Sequence, residues 1–124
     1  MKEDNNQPRD LEQRTFVFAV NIINLLKKVK PTKINDVVVY QLAKAATSVG
    51  ANYEESQGAF SKDDFIYKIS ICFREAKESN YWLRIIKAAN IYPGKKLEYL
   101  IQESFELKNI FGRILKKVRH RRIN

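Results

Sequence analysis

The residues best equipped for chemistry in this sequence are carboxylates at helical spacing: Glu54 and Glu55, then Glu75 and Glu78. Carboxylates of this kind can build a di-metal centre inside a four-helix bundle, which takes one Glu from each of two helices and a Glu-x-x-His from each of the other two. The histidines for such a site are missing. His120 is the only one in the chain, and none of these four acids has an imidazole three residues on. Lys44, Lys68, Arg74 and Lys77 lie near enough in sequence to pair with the acids across helix faces instead. Cys72 is the single cysteine, which excludes an internal disulfide or a multi-cysteine metal site. It falls on or beside an apolar stripe with no base at hand, a setting for a small buried hydrophobe rather than a nucleophile. There is no glycine-rich phosphate loop and no paired nucleophile and histidine. These absences point to a protein that binds rather than one that catalyses, with no cofactor and no metal.

Charge indicates what it could bind. The formal net charge is +9, and Lys116, Lys117, Arg119, Arg121 and Arg122 supply over half of that excess with no acid between them. Lys27, Lys28, Lys30 and Lys33 form a second group, and Lys95 and Lys96 a third. Such clusters suit phosphates. A basic helix end is equally well served by the helix dipole, or by pairing with acids at the same end of the fold. Tyr53, Tyr67, Tyr81, Trp82 and Tyr92 could stack on unpaired bases, although aromatics at helical spacing suit a core or an interface at least as well.

The elements that must position these residues are helices. A chain of 124 residues fits one domain, and four Gly with three Pro leave few turns among many helix-formers. Asp10 and Gln13 resemble a capping box that opens a helix from about Leu11 to Lys30, where Pro31 stops it. Phe16, Val17, Phe18, Ala19 and Val20 run consecutively in it and cover its whole circumference, so one intramolecular face cannot hide them all. Either another subunit covers the second face or an apolar patch is exposed. A second helix, about Asp36 to Gly58, carries Val38, Leu42, Ala45, Val49 and Asn52 or Tyr53 at three- and four-residue steps. Its middle is thin, and Gly50, which costs about 1 kcal/mol against Ala in a helix interior, suggests a close neighbour. Ser61 with Asp64 caps a third helix to about Tyr92, and a fourth follows Pro93-Gly94. Short connections between long helices imply an all-α, antiparallel up-down-up-down four-helix bundle over residues 10–119, flanked by a disordered stretch at 1–9 and a basic tail at 120–124. In that arrangement Lys27, Lys28, Lys30 and Lys33 share one pole with Lys95 and Lys96, and the basic tail occupies the other. No segment is long and apolar enough for a membrane span or reads as a signal peptide, and a lone cysteine fits a reducing compartment, so a cytoplasmic protein is expected.

The run Lys44-Ala45-Ala46-Thr47-Ser48-Val49-Gly50-Ala51-Asn52-Tyr53-Glu54-Glu55 is followed by Ser61, Asp64-Phe65-Ile66 and Lys68-Ile69, and then by Arg74-Glu75-Ala76-Lys77-Glu78-Ser79-Asn80-Tyr81-Trp82-Leu83. Together these resemble the bacterial four-helix-bundle proteins named after the open reading frames in 23S rRNA intervening sequences. The resemblance is close over the second and third helices and extends to the first and fourth in length and pattern. It implies an antiparallel bundle that assembles as a ring-like homo-oligomer, a homopentamer, and its name suggests an association with RNA. The accessory protein of diversity-generating retroelements, a basic pentamer that partners a reverse transcriptase and nucleic acid, is the related alternative. Partners implied are therefore other copies of the chain, RNA or DNA, and a protein. Asn52, Glu54, Glu55, Ser61, Asp64, Phe65, Glu75, Glu78 and Tyr81 occupy the motif positions. Architecture accounts for most of them: Ser61 and Asp64 as the cap, Phe65 in the core, Asn52 and Glu75 bonded across the contact of the second and third helices.

Overall fold

A computed structural model of the chain describes residues 8–123. Residues 1–7, most of the stretch expected to be disordered, lie outside the described residues, as does Asn124. The described residues form four helices and no strand: α1 (Pro8–Leu26), α2 (Lys33–Ser56), α3 (Lys62–Ala88) and α4 (Lys95–Ile123).

The helix ends follow local chemistry, in places against expectation. Pro8 opens α1 in the first turn, where its missing N–H has no helical partner to lose. Asp10 therefore sits inside that turn rather than capping it. At its other end α1 stops at Leu26, because the amides of Lys28 and Val29 turn back onto the carbonyls of Leu25 and Leu26 and carry Val29 into the core. Lys27, Lys28 and Lys30 thus fall in the connection and not in the last helical turn. α2 begins three residues earlier than expected. Extended Thr32 (φ −136°) accepts the Asn35 N–H at 3.0 Å, and the Asn35 amide returns to the Lys30 carbonyl at 2.9 Å. Ser61 caps α3 as its spacing to Asp64 predicts: its Oγ accepts the Asp64 N–H at 3.0 Å, while Asp64 accepts the Phe60 N–H at 3.1 Å. α3 ends at Ala88, short of Tyr92, because Asn90 takes the left-handed conformation (φ 58°) and the Ile91 N–H bonds the Ile86 carbonyl. α4 continues as helix to Ile123, through most of the segment expected to be a tail.

Each helix packs against two others, α1 on α2, α2 on α3, α3 on α4 and α4 back on α1, with the α1–α4 seam the slightest. The stripe expected on α2 meets apolar sides of α3 and α4 in the core. Val38, Leu42, Ala45, Val49 and Tyr53 are buried on α2, Ile69, Cys72, Ala76, Leu83 and Ile86 on α3, and Leu97, Leu100, Leu107 and Phe111 on α4. Across the middle the rings of Tyr53 and Phe111 meet at 5.8 Å. Two glycines set the closest approaches. A Cβ at Gly50 would stand 3.1 Å from Thr15 Oγ1 on α1, and one at Gly112 would stand 3.2 Å from Phe73 Cε1 on α3. The first is the close neighbour that Gly50 suggested.

α1 has two apolar sides and the fold covers one. Phe18, Ile22 and Leu25 are buried, whereas Phe16 (57% exposed), Val17 (39%) and Val20 (42%) face outward. No helix among the described residues is long and apolar enough to cross a membrane.

Candidate nucleic-acid interface

The cationic residues singled out from the sequence are all on the surface where their side chains are described. Lys27, Lys28 and Lys30 lie in the α1–α2 connection and Lys33 opens α2. Lys95 and Lys96 open α4, at the positive end of its dipole, where cations are disfavoured. Lys116, Lys117, Arg119 and Arg121 are exposed along the last turns of α4, and Arg122 continues that helix. Ion pairs elsewhere on the surface join Arg14 to Glu103 and Glu106, Lys68 to Glu55, and Lys87 to Glu98.

The outer part of α4 also outruns the core. Leu115 is its last buried residue and Val118 the last packed against the core. At 1.5 Å per residue its 29 residues span about 43 Å, against about 28 Å for the 19 of α1. Arg119 and Arg121 therefore stand on helix that projects past the apolar body.

A second cationic feature does not show in runs of charge. An open groove of about 370 Å³ on the α3–α4 side is lined by Phe73, Lys108, Asn109, Gly112, Arg113 and Lys116. No two of its cations are adjacent in sequence. The signal that could have found it is the absence of any Asp or Glu from Lys108 to the last residue.

Two of the motif residues do not make the contact expected of them. Asn52 donates to the Ser48 carbonyl and hydroxyl within α2, both at 2.9 Å, and so is satisfied one turn back instead of across the seam between α2 and α3. Glu75 makes no such cross-helix bond either. It is partly buried, and burial together with nearby Glu78 raises its pKa, partly offset by Arg74 and Lys44. Phe65 is partly buried against the core, and Ser61 and Asp64 form the α3 cap. Polar bonds between α2 and α3 come instead from Cys72, whose thiol donates to the Val49 carbonyl at 3.4 Å, and from Lys68, which donates to Glu55 at 2.8 Å. Burial pushes that thiol up to about 12, so it is protonated and unreactive at neutral pH.

The most strongly coupled charges were not visible in the sequence. Arg14 of α1 makes a forked contact to Glu103 of α4, at 2.7 and 2.9 Å, and reaches Glu106 at 2.9 Å. Hydrogen bonding to Glu103 holds the guanidinium protonated more firmly than usual. With 89 positions separating Arg14 from Glu103, no local pattern connects them.

The sequence profile of the 23S rRNA-intervening sequence proteins matches residues 9–113. The chain belongs to that family. Among solved structures it is similar to a protein of unknown function from the S23 ribosomal protein family of Bacteroides thetaiotaomicron VPI-5482. The two are 30% identical, with a TM-score of 0.79 over 88% of this chain and 97% of the other. No curated protein matches. The family match begins in α1 and stops within α4 at Arg113, so the cationic turns from Lys116 onward lie beyond it.

Proposed function

We propose that this member of the family is a non-enzymatic, homo-oligomeric RNA-binding protein of the cytoplasm, built as an antiparallel up-down-up-down bundle. Pairings such as Lys87 with Glu98, Asn80 with Ser104 and Phe73 with Gly112 support the antiparallel reading, since numbers fall along α3 as they rise along α4. The observation that carries RNA binding is the cationic end of α4, which projects past the core with Lys116, Lys117, Arg119 and Arg121 all exposed. Lys116, Lys117, Arg119, Arg121 and Arg122 bind phosphates there, with Lys27, Lys28, Lys30, Lys33, Lys95 and Lys96 forming a lesser cluster. Assembly rests on the outward side of α1, where Phe16, Val17 and Val20 need a covering surface, and the homopentamer follows the family resemblance.

The test is purification at low salt with light scattering and an ultraviolet absorbance ratio, followed by titration of RNA at several salt concentrations. Assembly larger than a monomer and co-purifying nucleic acid are expected. Replacing the five C-terminal cations with Gln should flatten the dependence of log K on log salt by roughly 0.7 to 0.9 for every phosphate that is no longer neutralised. An unchanged slope would remove the C-terminal end of α4 from the interface. A protein-binding scaffold, including an accessory subunit of a retroelement reverse transcriptase, is the alternative. It is favoured by exposed Ile34, Val37 and Tyr40 on α2, and it predicts a partner that survives nuclease treatment.

A further inference from the structure

We propose that the groove where α4 crosses α3 at Gly112 is a subsite for an unpaired nucleotide of single-stranded RNA, with Phe73 against the base and Lys108, Arg113 and Lys116 on the flanking phosphates. This rests on the reading of the chain as an RNA-binding protein and adds the form of the ligand: unpaired and not duplex.

Three observations converge on the groove. First, it has an aromatic floor. Gly112 lacks the side chain that would keep α4 away from Phe73, so the ring lies against the helix backbone and forms part of the groove wall. Phe73 is only partly buried, which leaves some of the ring to a ligand. Secondly, Lys108 is ordered by an aromatic ring, and none of the three groove cations by a carboxylate. Lys108 Nζ lies 4.6 Å from the centroid of the exposed Phe105 ring. The Lys77 ammonium, 6.0 Å from the Phe73 centroid, lies outside the groove lining and gives way to a base stacked on that ring. A cation held by a ring keeps its full charge for a phosphate, whereas one held by a carboxylate does not. Lys108, Arg113 and Lys116 form no ion pair among the described residues. Thirdly, the groove is continuous with the cationic end of α4. Lys108, Gly112, Lys116 and Arg119 follow at three- and four-residue steps, so they share one side of the helix, and α4 has no acid after Glu106. A strand whose phosphates track that side would pass from the projecting end onto the folded body at Phe73.

The combination discriminates among polyanions. A duplex hides its bases, and an acidic peptide has no planar ring to lay against Phe73, so either would use the cations alone. An unpaired base uses both, since base–aromatic stacking tolerates any base and adds to phosphate binding.

The experiment is fluorescence anisotropy of the full chain with a labelled short oligouridylate and, separately, a labelled RNA duplex. The variants are Phe73→Leu, the pair Lys108→Gln with Arg113→Gln, and the C-terminal set Lys117→Gln, Arg119→Gln and Arg121→Gln. Phe73→Leu should weaken oligouridylate binding between about 5- and 100-fold, the range expected for removing one stack, and leave duplex binding unchanged. The Lys108 and Arg113 pair should reduce the salt slope by about 1.4, or about 0.7 for each phosphate of a single strand. Because those two replacements are on the surface, they test the groove even if Phe73→Leu fails to fold, which helicity and thermal melting report. If folded groove variants bind oligouridylate like the parent while the C-terminal set binds weakly, the subsite is wrong and RNA binding stands. Equal losses for oligouridylate and duplex in Phe73→Leu, or displacement by polyglutamate as effective as by unlabelled oligouridylate, would likewise overturn it. A parent chain that retains neither RNA overturns both proposals.

Discussion

The seams of α3 with its two neighbours and the seam of α1 with α4 are closed by different physics. On α3 the packing is extensive and mainly apolar: Ile69, Cys72, Ala76, Leu83 and Ile86 are fully buried, and Gly112 lets α4 approach Phe73. The α1–α4 seam is slight and is held by Arg14 between Glu103 and Glu106. Apolar interdigitation gains from every ångström of approach, but a charged clasp acts at one point and leaves the rest of the seam loose. The short helix is thereby fixed to the bundle by one side against α2, at Gly50, and its other apolar side remains outward.

That contrast can be broken from its tight side. Phe111→Ala removes a fully buried ring that meets Tyr53 and should cost about 3–5 kcal/mol, measured by urea denaturation at constant m-value. Gly50→Ala comes next. Helix propensity alone would make it stabilising by about 1 kcal/mol. The proximity of Thr15 opposes it: overpacking costs about 1–3 kcal/mol, so a net destabilisation of up to about 2 kcal/mol is expected. Combining it with Thr15→Ala, which removes the nearest atom, should recover part of that stability. A stabilised Gly50→Ala would show that α1 is free to shift away from α2.

On the loose side, Arg14→Ala strands Glu103, whose side chain is only 9% exposed, and should cost about 2 kcal/mol. Replacing Arg14 with Met together with Glu103→Leu should be close to neutral, because neither charge is then left buried. The same clasp gives a pH dependence. Hydrogen bonds from Gln102 and then Arg14 lower the Glu106 pKa below its ordinary 4.5. A lowered folded pKa contributes stability above the ordinary value that is lost as pH falls through the folded one, so this contribution should fade in acid and be reduced in the Arg14→Ala melting profile.

The smallest effect sharpens the comparison from α3. Burial raises the Glu75 pKa, and its stabilising contribution is therefore present below 4.5 and lost as pH rises through the folded value. Glu75→Gln should raise the melting temperature slightly at neutral pH and leave it unchanged in acid. A lower melting temperature at neutral pH would mean that the Glu75 charge is favourably paired.

The core stripe of α2 was legible from Val38, Leu42, Ala45, Val49 and Tyr53, and the α3 cap from Ser61 and Asp64, because each depends on residues within a few positions of one another. Helix ends were legible only where a side chain marks them. Thr32 is masked as a cap by the louder signal of Pro31, and Asn90 by Pro93-Gly94 close by. On the basic surface, consecutive lysines and arginines point to Lys116 and its neighbours, while nothing in the spacing of Lys108 and Arg113 sets them apart. Their membership in one groove depends on where Phe73 of another helix lies.

The amino-acid order alone determined that there are four helices, which side of α2 turns inward and that α1 has more apolar surface than one side can hide, since a 3.6-residue period and local caps fix these. Only the tertiary structure decided that Thr15 fills the space at Gly50, that Arg14 clasps Glu103, and that Phe73 meets the cations of α4 at Gly112. Each of those pairs joins residues far apart in the chain. Their meeting depends on how closely and at what height the helices pack, a quantity set jointly by all the side chains between them.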